Sequence, residues 1–321
     1  MARGCRGLTA SASSHITHSF LNVNAIPLDA CRAPEYSVVK QPGIGMQATD
    51  RLAPEFQAVL DRGRAHEQRR ESAEIIQLPL WAEQKRGTPN SFLRSSLFAA
   101  VQGKDRRFLK EEVLASQNGI TVKFTGEQLN QSDLDVWETL VHLARQHPLG
   151  HVCGFTAHGL LKALGLHTGN TDHKWLHSVI IRLTACAVEI THEGKTYFGS
   201  LIESGAKDQL TRHYNIKLNR DLIRLYGGTQ WTAIDWKQRQ QLRRQPLAQA
   251  LHAFYSTHAK PYPIKLATLQ EVTGSRNPQP ASFKRQMRQA LTSLVSLGFL
   301  ADFYIDIDLV TVVRLSKYSS Q

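Results

Sequence analysis

Between Ile120 and Phe124 apolar and polar side chains alternate, the period of a strand with one buried face. The period then lengthens. Over residues 133–146, Leu134, Val136, Trp137, Leu140, Val141 and Ala144 recur at helical spacing and predict an amphipathic helix. Residues 158–164 predict a short helix, with Thr156 placed to cap its first turn and Gly165 to end it. Residues 171–187 predict a longer helix through Leu176, Val179, Ile180 and Leu183. Residues 187–190 and 195–202, joined by Glu193-Gly194, predict a hairpin.

The order partly repeats. Residues 213–218 predict a strand, 221–226 a short helix, and 242–258 a longer helix with Pro246 in its first turn, where a missing N–H breaks no bond. Pro261 and Pro263 hold 262–266 extended. A short helix over 267–273, a turn over 274–280 and a helix over 282–297 stopped by Gly298 follow. Residues 299–307 and 309–315 predict a second hairpin. A helix pair followed by a β-hairpin is the plan of a winged helix, a helix-turn-helix variant. The predicted fold is α+β: two tandem winged-helix domains, over 106–212 and 213–321, behind a linker over 74–105. The N-terminal region, 1–73, is rich in Ser, Thr, Gly and Pro in its first half and is expected to be largely disordered. Within it, 54–74 predicts a charged helix with Phe56, Val59 and Leu60 as a short apolar face.

Charge sharpens this picture. Lys plus Arg number 39 against 27 Asp plus Glu, so a net +12 points to a polyanionic partner, nucleic acid before an anionic membrane. Residues 231–300 hold ten Lys/Arg (Lys237, Arg239, Arg243, Arg244, Lys260, Lys265, Arg276, Lys284, Arg285, Arg288) against Asp235 and Glu271, so most of the excess falls in the second domain. On the 282–297 helix, Phe283, Met287, Ala290, Leu291, Leu294 and Leu297 cluster on one side. Arg285, Arg288, Gln289 and Thr292 point the other way, with Lys284 on the border and Arg276 in the preceding turn. Such side chains grip phosphates or read base edges, which makes this the expected recognition helix for double-stranded DNA. The helix over 171–187 presents Lys174, Ser178, Ile181 and Ala185. Lys174 and Ser178 are its DNA candidates, but this less basic face suits backbone contact or a protein interface as well as base readout. Trp231 and Trp236, with nearby Arg, offer stacking surfaces for single-stranded DNA; packing between the domains is the preferred reading.

Upstream, Gln77-Leu-Pro-Leu-Trp81 is an extended segment that resembles the bacterial sliding-clamp binding peptide, with Trp81 where Phe is usual; a strand or packing segment of the first domain is the equal alternative. This segment, Pro89-Asn90, Arg94-Ser95-Ser96-Leu97-Phe98, Ile120-Thr-Val-Lys-Phe-Thr-Gly-Glu-Gln-Leu129, Asp135-Val-Trp137 and Pro148-Leu-Gly150 resemble the TrfA-like family of plasmid replication initiators. Phe254-Tyr-Ser-Thr-His258 and Pro261-Tyr-Pro-Ile-Lys-Leu266 extend the likeness, which covers about residues 74–315. The resemblance implies binding to repeated sites (iterons) in double-stranded origin DNA, opening of the adjacent duplex, and recruitment of host replication proteins. Those would be the sliding clamp, through Gln77, Leu78, Leu80 and Trp81, and a host helicase or initiator. It also implies a homodimer in equilibrium with a DNA-binding monomer. The alternative is a winged-helix transcriptional regulator without a replication role.

An enzyme is a poor fit. There is no Gly-rich phosphate loop, no H-E-x-x-H, and no His-hydrophobic-His pair beside a nucleophilic Tyr. Gly43-Ile-Gly45 lacks the strand, helix and third glycine of a dinucleotide site. His173 and His177 have ligand spacing without a carboxylate or Cys partner, so no metal, cofactor or catalytic residue is expected. No run of about 18 apolar residues predicts a membrane span, and no apolar block follows Arg3 and Arg6 as in a signal peptide. Cys5, Cys31, Cys153 and Cys186 form no C-x-x-C pair, which suits a reduced cytoplasmic setting with Cys153 and Cys186 as small core residues.

Overall fold

The structure, a computed structural model, describes residues 57–63, 78–147 and 151–315. The chain divides into two compact units, Met1–Arg62 and Gly63–Gln321. Of the first, only residues 57–62 are described; with Gly63 they form helix α1, on which Val59 and Leu60 are exposed. Phe56, expected beside them, lies outside the described residues.

The second unit is built around two hydrophobic cores. The first begins with β1 (Lys85–Pro89), α2 (Asn90–Leu93), β2 (Phe98–Ala99), β3 (Phe108–Leu114), β4 (Thr121–Glu127) and β5 (Leu129–Asn130). Then come α3 (Gln131–Ala144), β6 (Val152–Thr156), α4 (Ala157–Ala163) and α5 (Asn170–Thr184). Asn130 starts α3 with a capping box: its side chain accepts from the Ser132 and Asp133 N–H groups, and Asp133 Oδ2 accepts from the Asn130 N–H at 2.9 Å. Such caps satisfy donors that the helix leaves free, for about 1 kcal/mol each. Thr156 caps α4 by accepting from the Gly159 N–H at 3.1 Å, and Gly165 turns the chain away at φ +66°. Leu176, Val179, Ile180 and Leu183 bury the inner face of α5.

After α5 come β7 (Ala187–His192), β8 (Lys195–Gly199), β9 (Ile202–Lys207) and β10 (His213–Leu218). β7 and β8 form the expected hairpin, but β7 pairs with β4 in a four-stranded sheet of order β3-β4-β7-β8. Val122 and Phe124 on β4 and Val188 and Ile190 on β7 bury one face of that sheet, which fixes the pairing. The sheet beside α4 and α5 is instead β6-β10-β9. Residues 213–218, expected to open the second domain, therefore belong to the first core: Tyr214 pairs with Phe155 and Ile216 with Cys153. α6 (Arg220–Ile223), β11 (Trp231–Asp235) and Trp236 of α7 (Trp236–Gln241) stay with that core, β11 running antiparallel to β1.

The second core runs from Leu242 to Val312. Its elements are α8 (Pro246–Ser256), β12 (Ile264–Lys265), α9 (Leu266–Val272), α10 (Pro280–Ser296), β13 (Leu300–Asp306) and β14 (Leu309–Arg314). Phe283, Met287, Ala290, Leu291 and Leu294 bury one stripe of α10. Each large side chain contributes roughly 1.5–3 kcal/mol, enough to fix which face points outward. The sheet order is β12-β14-β13. The two halves thus share one plan. Helix, strand, two helices and two strands recur in the same order (α3, β6, α4, α5, β9, β10, with β7 and β8 inserted before β9; then α8, β12, α9, α10, β13, β14), and each sheet is ordered first, third, second.

The cores are joined by polar contacts. Arg239 on α7, fully buried, reaches Asp135 of α3 at 2.6 Å, Glu138 at 3.2 Å, and the Gln249 carbonyl of α8 at 3.4 Å. The Ala100 N–H donates to the Thr273 carbonyl at 2.7 Å. Beside it, Gly274 sits at φ +64° so close to Ala99 that a Cβ would lie 2.7 Å from the Ala99 Cβ.

Candidate nucleic-acid interface

With its apolar stripe buried, α10 presents Arg285, Arg288, Gln289 and Thr292 to solvent, and Arg276 is exposed in the turn before it. Among the described residues no carboxylate pairs with Arg276, Arg285 or Arg288. Lys284 is engaged differently. Its Nζ donates to the Ile307 carbonyl at 2.6 Å and ties the β13–β14 turn to the helix.

Not every cation in this stretch of sequence is available. Arg239 is consumed by Asp135 and Glu138. Arg243 donates to the Gly165 carbonyl at 2.6 Å and to the Leu164 carbonyl, closing the C-terminal end of α4. Those that remain exposed in the region include Lys237, Arg244, Lys260, Lys265, Arg276, Arg285 and Arg288.

On α5, Lys174 and Ser178 are exposed, with Ile181 52% exposed beside them. The Ser178 hydroxyl donates to the Trp175 carbonyl at 2.7 Å, which leaves its lone pairs to accept. Arg182 is turned inward, at 2.8 Å from Asp133 and 3.1 Å from Glu127. His177 Nδ1 lies 3.1 Å from the Tyr214 hydroxyl, and burial, with Lys207 adding to it, lowers the imidazole pKa and disfavours its charge. Between α5 and α10 lie two adjoining grooves, of about 470 and 1070 Å³, that share Gln102, Arg244 and Pro246 in their walls. Gln289 and Arg276 line the larger, Trp175 the smaller.

The upstream motif is packed into the protein. Gln77 lies outside the described residues; Leu78 is 1% and Trp81 7% exposed, while Leu80 is 78% exposed. The Trp81 Nε1–H donates to His142 Nδ1 at 2.9 Å, and its ring stacks on Tyr226 and lies 5.5 Å from the Trp231 ring. Gly87 leaves room for that ring: a Cβ there would come within 2.6 Å of it. Glu83 anchors the same segment through Arg145 at 2.6 Å and His142 Nε2 at 2.8 Å. A partner that reads Leu78 and Trp81 must first draw them out of this core. The sequence left both readings open, since a docking peptide and a packed segment have the same composition.

Trp231 and Trp236 also pack on the first core, Trp231 partly buried and Trp236 7% exposed with Arg86 4.6 Å above its ring. Cys153 and Cys186 are buried, and burial pushes their thiols up to about 12 and about 11, far from the thiolate that chemistry would need. Among the described residues no three His, Cys, Asp or Glu side chains are grouped to hold a metal ion, and no helix is long and apolar enough to cross a membrane.

Fold and surface define a mixed α/β protein with a repeated helix–sheet plan and a cationic helix whose arginines no carboxylate pairs among the described residues. The same fold class is found in the crystal structure of domains 2 and 3 of RctB, at 10% identity and a TM-score of 0.51, over 71% of this chain and 99% of that one. The Pi initiator protein, solved in complex with iteron DNA, aligns at 15% identity and a TM-score of 0.41 over 61% of this chain and 99% of that one. The chain belongs to the TrfA protein family, whose family model matches residues 42–314. It is 24% identical over 251 residues to the plasmid replication initiator protein TrfA of Escherichia coli. That match covers 75% of this chain and spans 64% of the relative.

Proposed function

We propose that this chain is a plasmid replication initiator that acts in the cytoplasm, and that its two repeated halves are tandem winged helices gripping repeated sites in double-stranded origin DNA. The observation that carries the reading is α10: a rigid helix whose outer face holds Arg285, Arg288, Gln289 and Thr292, with no carboxylate pairing the two arginines among the described residues. Cations left unpaired on a fixed helix face are suited to phosphates, and Gln and Arg beside them to base edges. α5, with Lys174 and Ser178, takes the second groove contact. Membership of the TrfA family supports a replication role; opening of the neighbouring duplex and recruitment of host proteins, the sliding clamp among them, are part of the proposal.

Two measurements test this. Selection by the wild-type chain from a pool of random duplexes is expected to return a defined site; an unenriched pool overturns the reading. A plasmid carrying direct repeats of that site as its only origin is then expected to persist only when the chain is supplied. Specific binding without plasmid maintenance would favour the transcriptional regulator.

A further inference from the structure

Each half carries a hairpin beside its outward helix, and each hairpin ends in one exposed aliphatic side chain: Leu210, 95% exposed, between β9 and β10, and Ile307, 81% exposed, between β13 and β14. The side chains flanking them along the chain differ in balance of charge, although Lys284 Nζ also reaches the Ile307 carbonyl at 2.6 Å. Ile307 lies between Asp306 and Asp308, and Asp302 and Asp306 alternate with Tyr304 along the exposed face of β13. Leu210 lies between Lys207 and Arg212. The acid in that turn, Asp208, is engaged within it: Oδ1 accepts from the Leu210 N–H at 2.9 Å and the Thr211 N–H at 2.7 Å. The Asp208 N–H in turn donates to the His213 carbonyl at 2.9 Å, so the tip is held in one shape. The hairpin base is pinned to α5 through the Tyr214 hydroxyl, 3.1 Å from His177 Nδ1, while Lys207 Nζ packs within the hairpin at 5.6 Å from the Tyr214 ring.

Resting on the DNA-binding reading above, we propose that Leu210 is an apolar wedge that enters the minor groove beside the α5 contact and bends the duplex, while the aspartates of β13–β14 keep Ile307 away from DNA. An aliphatic side chain pressed between base pairs unstacks them and kinks the helix, and it needs cations on both sides to approach two phosphate backbones at once. Leu210 has them in Lys207 and Arg212, which outnumber the one acid of its turn, Asp208; Ile307 has Asp306 and Asp308 beside it against the single cation Lys284. A tip already fixed by its own hydrogen bonds loses little freedom when it inserts.

The test uses the duplex enriched by the wild-type chain, labelled at both ends for energy transfer. Wild-type binding is expected to shorten the end-to-end distance. Leu210→Ala, an exposed position whose change leaves the core intact, is expected to lose about half or more of that shortening while binding within about tenfold of wild type. Ile307→Ala is expected to bend the duplex as wild type does. A straight wild-type complex, an undiminished bend with Leu210→Ala, or an equal loss with Ile307→Ala overturns the wedge and leaves DNA binding standing. Failure of the wild-type chain to enrich any duplex removes the DNA-binding reading itself.

Discussion

His142 illustrates how far one side chain's chemistry is set by its neighbours. Burial lowers its pKa to about 4, Glu83 opposes that shift by hydrogen bonding, and Arg86 and Arg145 reinforce it. The neutral ring is what the packing needs, because Nδ1 accepts from Trp81 while Nε2 donates to Glu83. An unfolded histidine takes its proton near 6.5, so between pH 6.5 and about 4 the unfolded chain binds a proton that the folded chain refuses. Stability therefore falls as pH falls through that window. His252, fully buried and lowered to about 3, acts in the same direction. Glu138, which burial raises to about 7, acts oppositely by holding its proton in the fold. A His142→Gln variant keeps an acceptor for Trp81 and a donor for Glu83 but cannot titrate. Urea midpoints taken near pH 7 and near pH 5 should drop less for this variant than for wild type. Equal drops would mean that His142 accepts its proton without disturbing the fold.

At the scale of the element, α10 was the most legible part of the chain and β9 the least. The helical period over 282–297 announces α10, and burial of Phe283, Met287, Leu291 and Leu294 follows from the letters alone. Replacing Arg285 and Arg288 with Ala should weaken DNA binding and flatten the dependence of log K on log salt by about 2, near 0.9 for each phosphate left without its cation. An unchanged slope in a salt titration would show that other cations grip the backbone. β9, by contrast, reads Ile-Glu-Ser-Gly-Ala-Lys, with no alternation to mark a strand; it forms because β10 offers it a partner edge. β3 was hidden as well. Its register shifts between Leu109 and Glu112, with Glu111 at φ +51°, and the irregularity breaks the period of two. Missing β9 moved the first hairpin one pair of strands too early and carried residues 213–218 into the wrong half. Pairing between distant segments decides such cases, and the local pattern does not contain it. The outward face of α10 was readable because it depends only on what a helix buries. The inward turn of Arg182, Arg239 and Arg243 depends on which carboxylates and carbonyls the fold brings near, and a tally of charges cannot tell them from the free ones.

At the scale of the whole second unit, the two cores meet through apolar packing of α8, with Ala253 in the first core, and through buried polar contacts, of which Arg239 makes several. It links α3 of the first core to α8 of the second, with Gln249 also donating to Asp135 at 3.2 Å. If α5 and α10 are to meet one duplex at a fixed spacing, this link matters more for geometry than for total stability, since a buried pair gains little over an apolar packing of the same volume. Removing one partner is different, and Arg239→Met should destabilise the chain by about 3–5 kcal/mol, part of it relieved as Glu138 takes up a proton. The distribution of tryptophan makes the coupling measurable. All five, Trp81, Trp137, Trp175, Trp231 and Trp236, lie in or against the first core, and the second has none. Tryptophan fluorescence thus follows the first core, while far-ultraviolet circular dichroism follows both. In the wild-type chain the two urea transitions should coincide, as for a single cooperative unit. In Arg239→Met the two transitions should no longer coincide, because the link between the cores is weakened while Asp135 and Glu138 of the first core lose their partner. Coincident transitions in the variant would mean that the Ala100–Thr273 hydrogen bond, the seat of Gly274 against Ala99 and the Arg94–Thr257 hydrogen bond at 2.7 Å couple the cores without Arg239.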